Sequence, residues 1–496
     1  MAADASPTTS TVPAPRPRLD PHDPASVDTL LSAEELAVRQ TVRDFCADKI
    51  APHIAGWYER GELPGARELA RELGKIGLLG MHLTGYGCAG MSSVDYGLAC
   101  LELEAADSGL RSLVSVQGSL AMFALWRFGS AAQKAEWLPK MAAGETIGCF
   151  GLTEPEAGSD PAAMRTAARR DGPDWILQGR KMWITNGSIA DVAVIWAQTD
   201  EGVKGFVVPT DVPGFAAPEI KHKGSLRASV TAELVLDSVR LPADAVLPEV
   251  TGLRGPLSCL NEARFGIFWG ALGAARSCYE TALEYAKTRE QFGAPIAAYQ
   301  LTQEKLANMA IELAKGQLLA LHFGRLKDLG KLAPEHVSIA KLNSTREALE
   351  ICRTARTILG GNGISYEFPI MRHMANLESV LTYEGTPEMH TLVIGQALTG
   401  HAAFRNLPLF LFCFVAPELG TSLERPPGAD ALPPVSPLVP GRLKPGRRRR
   451  DLKVPGLSLS QAPEPGPGRH TATARNTRLI PSRPSASPMT GRPATT

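Results

Sequence analysis

Glu384 lies in Leu381-Thr-Tyr383-Glu384-Gly385-Thr386, a carboxylate between an aromatic residue and a Gly-Thr pair. Glycine lets a backbone come close to a ligand, so a carboxylate here can act as a general base aimed into a cleft. The same residues also describe an acidic group beside a helix N-terminus, where the helix dipole favours it. Four other stretches carry compatible chemistry. The loop Phe150-Gly-Leu152-Thr153-Glu-Pro-Glu-Ala-Gly158-Ser159-Asp160 offers small residues, hydroxyls and backbone N–H groups to an anionic or heteroaromatic ligand, or forms an ordinary helix-to-strand turn. In Lys181-Met-Trp183-Ile184-Thr185-Asn186, Trp183 and Thr185 share a strand face, suited to covering an aromatic ring and bonding its edge, or to filling a core. Arg289, Phe292 and Gln300 suit a diphosphate and a flat ring, or end a surface helix. The glycines of Leu359-Gly360-Gly361-Asn362-Gly363 can approach phosphates or cap a helix.

The elements that must hold these residues fall into blocks. Residues 1–27 are rich in Pro, Ala, Ser and Thr and are expected to be disordered. A capping box, Ser32-Ala-Glu-Glu35, opens a helical region spanning 28–146. Helical segments are expected over 66–73, 95–106, 112–128 and 131–142. Short aromatic and β-branched runs follow over 147–247, at 175–178, 181–185, 192–198, 205–208 and 230–236, punctuated as antiparallel strands. Helical periodicity returns over 248–404 and reads as a bundle, with Leu306, Met309 and Leu313 on one stripe. Residues 405–496 hold 17 of the 39 prolines and the run Arg447–Arg450, the composition of a disordered tail.

The net charge of +1 is uneven: residues 405–496 carry 14 Lys and Arg against 5 Asp and Glu, leaving 38 against 46 in the first 404. An acidic body argues against nucleic-acid binding; the basic tail alone leaves open a DNA-binding role. The 8 cysteines form no C-x-x-C pair and read as buried free thiols in a reducing compartment, with no metal-ligand spacing. No apolar run reaches membrane-spanning length, and the N-terminus has no secretory pattern, so a cytoplasmic protein is expected.

Taken together, the order and spacing of these stretches resemble the acyl-CoA dehydrogenase family of flavoproteins over roughly residues 30–404. The resemblance implies a mostly α protein: an N-terminal helical domain, an antiparallel β-sandwich-like middle domain and a C-terminal four-helix bundle. It implies a homotetramer with FAD bound partly across a subunit interface. Phe150, Leu152, Thr153, Gly158, Ser159, Trp183, Ile184 and Thr185 would then hold the flavin. Arg289, Phe292, Gln300, Leu359, Gly360 and Gly361 would reach the FAD of a neighbouring subunit, and Thr386 and Glu388 would complete the cofactor site. Close relatives often show His-Asp where this chain has Pro387-Glu388.

Glu384 matches the family's catalytic base. One branch of the family carries its base immediately before an Arg on an earlier helix; here that slot is Ala263, and Glu262 is one position off, about 100° around a helix. Arg111 and Ser115, four residues apart, can share a helix face and bind a distal carboxylate, with Glu104 orienting Arg111 unless Gly109 breaks the helix; the alternative is a surface ion pair. Their stretch, with Gly85–Gly90, Ser225–Ser229 and Cys259–Arg264, resembles the branch acting on glutaryl-CoA. That implies substrate contacts from Glu104, Arg111, Ser112, Ser115, Ser159, Leu257, Asn261, Arg264, Tyr383 and Gly385. It also implies oxidation with decarboxylation to crotonyl-CoA, and electron-transfer flavoprotein as acceptor. Oxidation without decarboxylation has no distinguishing residue signature.

Overall fold

The computed structural model describes residues 19–401. The basic run at 447–450, the expected tail over 405–496 and residues 1–18 of the expected disordered N-terminus lie outside the described residues. The rest of that N-terminal expectation is corrected: residues 20–27 are anchored, with Tyr279 Oη donating to the Pro21 carbonyl at 2.8 Å and Val27 buried.

Among the described residues seven α-helices come first: α1 (Ala33–Lys49), α2 (Ile54–Arg60), α3 (Ala66–Lys75), α4 (Ser93–Ala106), α5 (Ser108–Ser115), α6 (Phe123–Phe128) and α7 (Ala131–Ala142). Ser32 caps α1 reciprocally, accepting from the Glu35 N–H at 3.1 Å while Glu35 accepts from the Ser32 N–H at 2.8 Å. The single helix expected over 112–128 is divided. Residues Val116–Met122 form a π-helical stretch between α5 and α6, a geometry frequent at functional sites. α4 is buried along nearly its whole length because it packs on helices of both halves of the chain, α1 on one side and α8 (Arg254–Thr288) on another.

The middle region holds β1 (Gly148–Gly151), β2 (Ala167–Asp171), β3 (Asp174–Thr185), β4 (Val192–Thr199), β5 (Gly202–Pro209), β6 (Phe215–Ala216) and β7 (Thr231–Leu241). They form one seven-stranded sheet in the order β1-β4-β2-β3-β7-β6, with β5 also on β4. Pairings β2–β3, β3–β7, β4–β5 and β6–β7 are antiparallel as expected, whereas β1 and β2 run parallel to β4. The runs expected at 175–178 and 181–185 are one strand, β3, interrupted by register shifts at 177–179 and 181–184. At the first shift Gly179 has φ 152°, and a Cβ there would meet Thr166 at 2.5 Å. The strand therefore bends where only glycine fits. β4 is buried on both faces: Val192, Val194 and Trp196 join the helical core, while Ala193, Ile195 and Ala197 join a second core within the β region.

Beyond α8 come a small hairpin of β8 (Glu290–Gln291) and β9 (Ala294–Pro295), then α9 (Gln300–Asp328), α10 (Pro334–Leu359), α11 (Ile370–Thr382) and α12 (Pro387–Thr399). α8 to α11 form the expected bundle, and α12 adds a fifth helix against α10. The described cysteines are all free, and all but the half-buried Cys88 are buried. Among the described residues no helix is long and apolar enough to cross a membrane.

Candidate active site

Asp107 separates Glu104 from Arg111. α4 ends at Ala106, and Asp107, fully buried and extended, caps α5 by accepting the Gly109 N–H at 2.7 Å. The helix is thus broken at Asp107 rather than at Gly109. Asp107 also accepts from Arg372 at 2.6 Å and Asn376 at 3.0 Å, tying the break to α11. Asn376 in turn accepts the Leu226 N–H at 2.8 Å, which docks the Ser225–Ser229 loop. A Cβ on Gly109 would lie 2.5 Å from the Ala228 carbonyl, so that docking requires glycine. Asp107→Ala removes a cap and leaves buried Arg372 without its carboxylate. We expect a loss of about 3–5 kcal/mol of stability, read by urea unfolding; a change under about 1 kcal/mol, the range of an exposed pair, contradicts this account.

The break does not stop Glu104 from orienting Arg111. Both are fully buried, Arg111 Nε donates to Glu104 at 2.6 Å, and Ser108 Oγ donates to the other Glu104 oxygen at 2.9 Å. Burial opposes the Arg111 charge, but Glu104 outweighs it and holds the guanidinium well above its usual range. Gly270 on α8 makes room for the pair, since a Cβ there would collide with the Glu104 carboxylate. Arg111 Nη2 donates to the Tyr383 hydroxyl, which places this cation beside Glu384. Ser112 and Ser115 are buried with it on α5, and among the described residues Ser115 Oγ has no hydrogen-bond partner.

Glu384 sits between α11 and α12 with φ 51°, left-handed for a side chain that rarely tolerates it. Its Oε2 is shielded from solvent and has no hydrogen-bond partner among the described residues. Arg264 Nε donates to the Glu384 carbonyl at 2.6 Å and its Nη1 to Asn261 at 3.0 Å. Burial pushes the Glu384 carboxyl up to about 6, against the pull of Arg264, Arg111 and Lys341. An unpartnered carboxylate that titrates near neutrality can accept a proton from a bound molecule. Glu262 is engaged elsewhere: it pairs with Lys327 and lies 3.4 Å from His82. Ala263 is fully buried. Gly385 has φ 109°, and Thr386 caps α12, its Oγ1 accepting the Met389 N–H at 3.4 Å. Glu388 is exposed in the first turn of α12, and Leu257 is half-buried at the start of α8.

The second register shift in β3 turns Trp183 outward with φ 63°, leaving its indole 57% exposed while Ile184 is buried and Thr185 half-buried. The Met182 N–H donates to the Thr153 carbonyl at 2.8 Å, and Lys181 Nζ to the Leu152 carbonyl at 3.1 Å, so the 150–159 loop is stitched to this bulge. Phe150 and Leu152 are buried, with the Phe150 ring 5.8 Å from that of Trp196. Gly158 and Ser159 stay exposed. Side chains of Phe150, Leu152 and Ile184 therefore serve the core, and what this edge presents outward is an indole face, hydroxyls and backbone. A flat heteroaromatic ring with polar edges fits that set.

Arg289, Phe292 and Gln300 are exposed where α8 ends and α9 begins, Phe292 at 96%. Gly360 and Gly361, also exposed, form the turn after α10, while Leu359 is buried. Asn362 donates to the Tyr285 hydroxyl at 3.1 Å and Lys305 to Thr357 at 3.3 Å, drawing these helix ends together. Among the described residues no hydrogen bond joins this group to Trp183 or the 150–159 loop.

Family models for the N-terminal, middle and C-terminal domains of acyl-CoA dehydrogenases match residues 32–145, 149–239 and 251–399. The chain belongs to the acyl-CoA dehydrogenase family. It is 69% identical to a solved glutaryl-CoA dehydrogenase from Mycobacterium smegmatis, with a TM-score of 0.77 over 78% of this chain and 100% of that one. A second structure of glutaryl-CoA dehydrogenase from that organism, in complex with FADH2, is 62% identical, with a TM-score of 0.77 over 78% of this chain and 99% of that one. The bovine (Bos taurus) mitochondrial short-chain specific acyl-CoA dehydrogenase is 36% identical over 367 residues, 72% of this chain and 88% of that protein. As an acyl-CoA dehydrogenase, this enzyme has one polar residue at the site whose importance sequence reading missed. Lys341 is fully buried on α10. Its only signal was a lysine on the helix face of Val337 and Ser344, both buried in the structure.

Proposed function

We propose that this enzyme oxidises glutaryl-CoA and decarboxylates the product to crotonyl-CoA and CO2. The observation that carries this reading is the buried Arg111–Glu104 pair bonded through Tyr383 to the segment holding Glu384. A plain fatty acyl chain calls for an apolar tail pocket, whereas a fully buried guanidinium beside a buried unpartnered serine suits a carboxylate.

FAD fits the edge formed by the 150–159 loop, Trp183 and Thr185, and Thr386 and Glu388 at the start of α12 would complete its site. Arg289, Phe292, Gln300 and the Gly360–Gly361 turn, exposed at another edge, suit the FAD of a neighbouring subunit in a homotetramer. Bound FAD supplies the two-electron acceptor for hydride leaving the substrate β-carbon, chemistry that side chains lack. Glu384 takes the α-hydrogen as a proton. Arg111 Nη1, which makes no hydrogen bond among the described residues, and Ser115 Oγ hold the distal carboxylate. Asn261, Arg264, Leu257, Ser112, Ser159 and Gly385 line the path of the thioester. Once glutaconyl-CoA has formed, loss of CO2 leaves a dienolate delocalised into the thioester, and Glu384, now protonated, returns its proton to the γ-carbon. An electron-transfer flavoprotein is the expected acceptor of the electrons.

The test is anaerobic mixing with glutaryl-CoA. Flavin bleaching with release of CO2 and crotonyl-CoA is expected. Accumulation of glutaconyl-CoA instead would favour the non-decarboxylating dehydrogenase, and absence of bleaching would remove the substrate assignment.

A further inference from the structure

Lys341 is a buried cation that the reaction just described does not use. Its ammonium gives its three protons to three carbonyls of one segment: Leu381 at 2.9 Å, Tyr383 at 3.0 Å and Gly385 at 2.7 Å. That accounts for its whole donor capacity. The Leu381 carbonyl belongs to the last turn of α11, where carbonyls lack helical partners and a cation complements the dipole. The carbonyls of 383 and 385 flank the peptide units of Glu384 on both sides. Between them Glu384 is held in an unfavourable conformation, φ 51°, followed by Gly385 at φ 109°, which glycine tolerates. A left-handed non-glycine residue persists only where its surroundings over-determine it. Here the surroundings are Arg264 on the Glu384 carbonyl, Lys341 on the carbonyls either side, and His390, which a Cβ on Gly385 would meet at 2.7 Å.

We propose that Lys341 is a positioning residue for the base: it clamps the carbonyls on both sides of Glu384 and so fixes the direction of its carboxylate. This rests on the reading of Glu384 as the base. The clamp needs the charged ammonium, because a neutral amine has only two protons for three carbonyls. Charged and titratable groups face Lys341 from every side: Arg264 on α8, Arg111 on α5, Glu384 and Tyr383 in the clamped segment, and His390 on α12. Burial pulls its own amine down to about 7, with Arg264 and Arg111 adding to the effect and Glu384 opposing it. The cation also lowers the Glu384 carboxyl, so removing it moves the base's titration to higher pH.

The experiment is a double-mutant cycle on the FAD-loaded enzyme with Lys341→Met and Glu384→Gln, following flavin reduction by glutaryl-CoA across pH. Lys341→Met is expected to lower kcat about 10²-fold, the scale for a misplaced reacting group, with KM within about threefold and the acid limb shifted to higher pH. In the Glu384→Gln background it should cost nothing further, since residues acting as a unit are non-additive. An equal loss in both backgrounds, or an unmoved acid limb, overturns the proposal. If Glu384→Gln alone keeps full activity, it is the base assignment that fails. Should Lys341→Met not fold, Lys341→Arg, which keeps the charge, is judged by the loss of kcat and by its absence in the Glu384→Gln background, because a planar fork does not reproduce an ammonium's three converging bonds.

Discussion

Glu384→Gln is expected to bind FAD and acyl-CoA normally and to reduce its flavin about 10²–10⁴-fold more slowly, the range for loss of a positioned general base. Glutamine keeps the shape and nearly the volume of the side chain but cannot accept the proton. Among the described residues Oε2 makes no hydrogen bond, so the substitution breaks none there, and a loss of rate in the folded, FAD-loaded protein reports chemistry. The wild-type pH profile should carry the same signature. The carboxyl sits at about 6 because burial raises it more than Arg264, Arg111 and Lys341 lower it. The base works ionised, so kcat/KM should fall about tenfold per unit below that value and level off above it until the Lys341 clamp loses its proton, about 7. Substrate that displaces water raises the carboxyl further. The acid limb of kcat should therefore lie at higher pH than that of kcat/KM, and the same rise lets Glu384 keep the proton needed at the γ-carbon. Stopped-flow bleaching measured over pH in both proteins decides the matter. A Glu384→Gln rate within threefold of wild type would remove Glu384 from the chemistry.

What the sequence made legible follows from where the signal is local. The capping box at Ser32, the β runs at 192–198 and 205–208 and the stripe of Leu306, Met309 and Leu313 are patterns in neighbouring residues, and each forms as read. β2 was missed because Ala167-Ala-Arg-Arg-Asp171 buries only Ala168 and has no alternation; pairing with β3 makes it a strand. The bulges in β3 were missed because register depends on the partner strand, and one of them is what exposes Trp183. In the site, Glu384, Arg111 and Glu104 were legible as residue types at suggestive spacing. Their burial was not, and burial is what raises the Glu384 carboxyl and shuts the Arg111–Glu104 pair away from water. Lys341 was invisible for the same reason: three carbonyls 40 or more positions away give a lone helical lysine its meaning.

Arg111→Ala should change which substrate is preferred rather than whether the flavin is reduced. Glutaryl-CoA and butyryl-CoA present the same α- and β-carbons and differ in the carboxylate on the γ-carbon, so their kcat/KM ratio isolates recognition of that group. Truncating one member of a buried, hydrogen-bonded charge pair costs about 2–5 kcal/mol, and each 1.36 kcal/mol is tenfold. The ratio should therefore fall between about 30-fold and about 5,000-fold. Two side effects must be separated from this. Without Arg111, Glu104 stays fully buried with Ser108 as its remaining donor, which lowers stability by the scale of a broken buried pair, about 3–5 kcal/mol. Both substrates meet the same weakened protein, so that loss cancels in the ratio. Arg111 also lowers the Glu384 carboxyl, so its removal shifts the acid limb upward for both substrates, and the ratio is to be taken on the plateau above that limb. If the buried guanidinium serves only to neutralise Glu104, the two substrates will lose rate together and the ratio will stay within threefold of wild type. A guanidinium that holds the substrate's distal carboxylate predicts instead a near-normal rate with butyryl-CoA in the surviving folded fraction and a collapse with glutaryl-CoA.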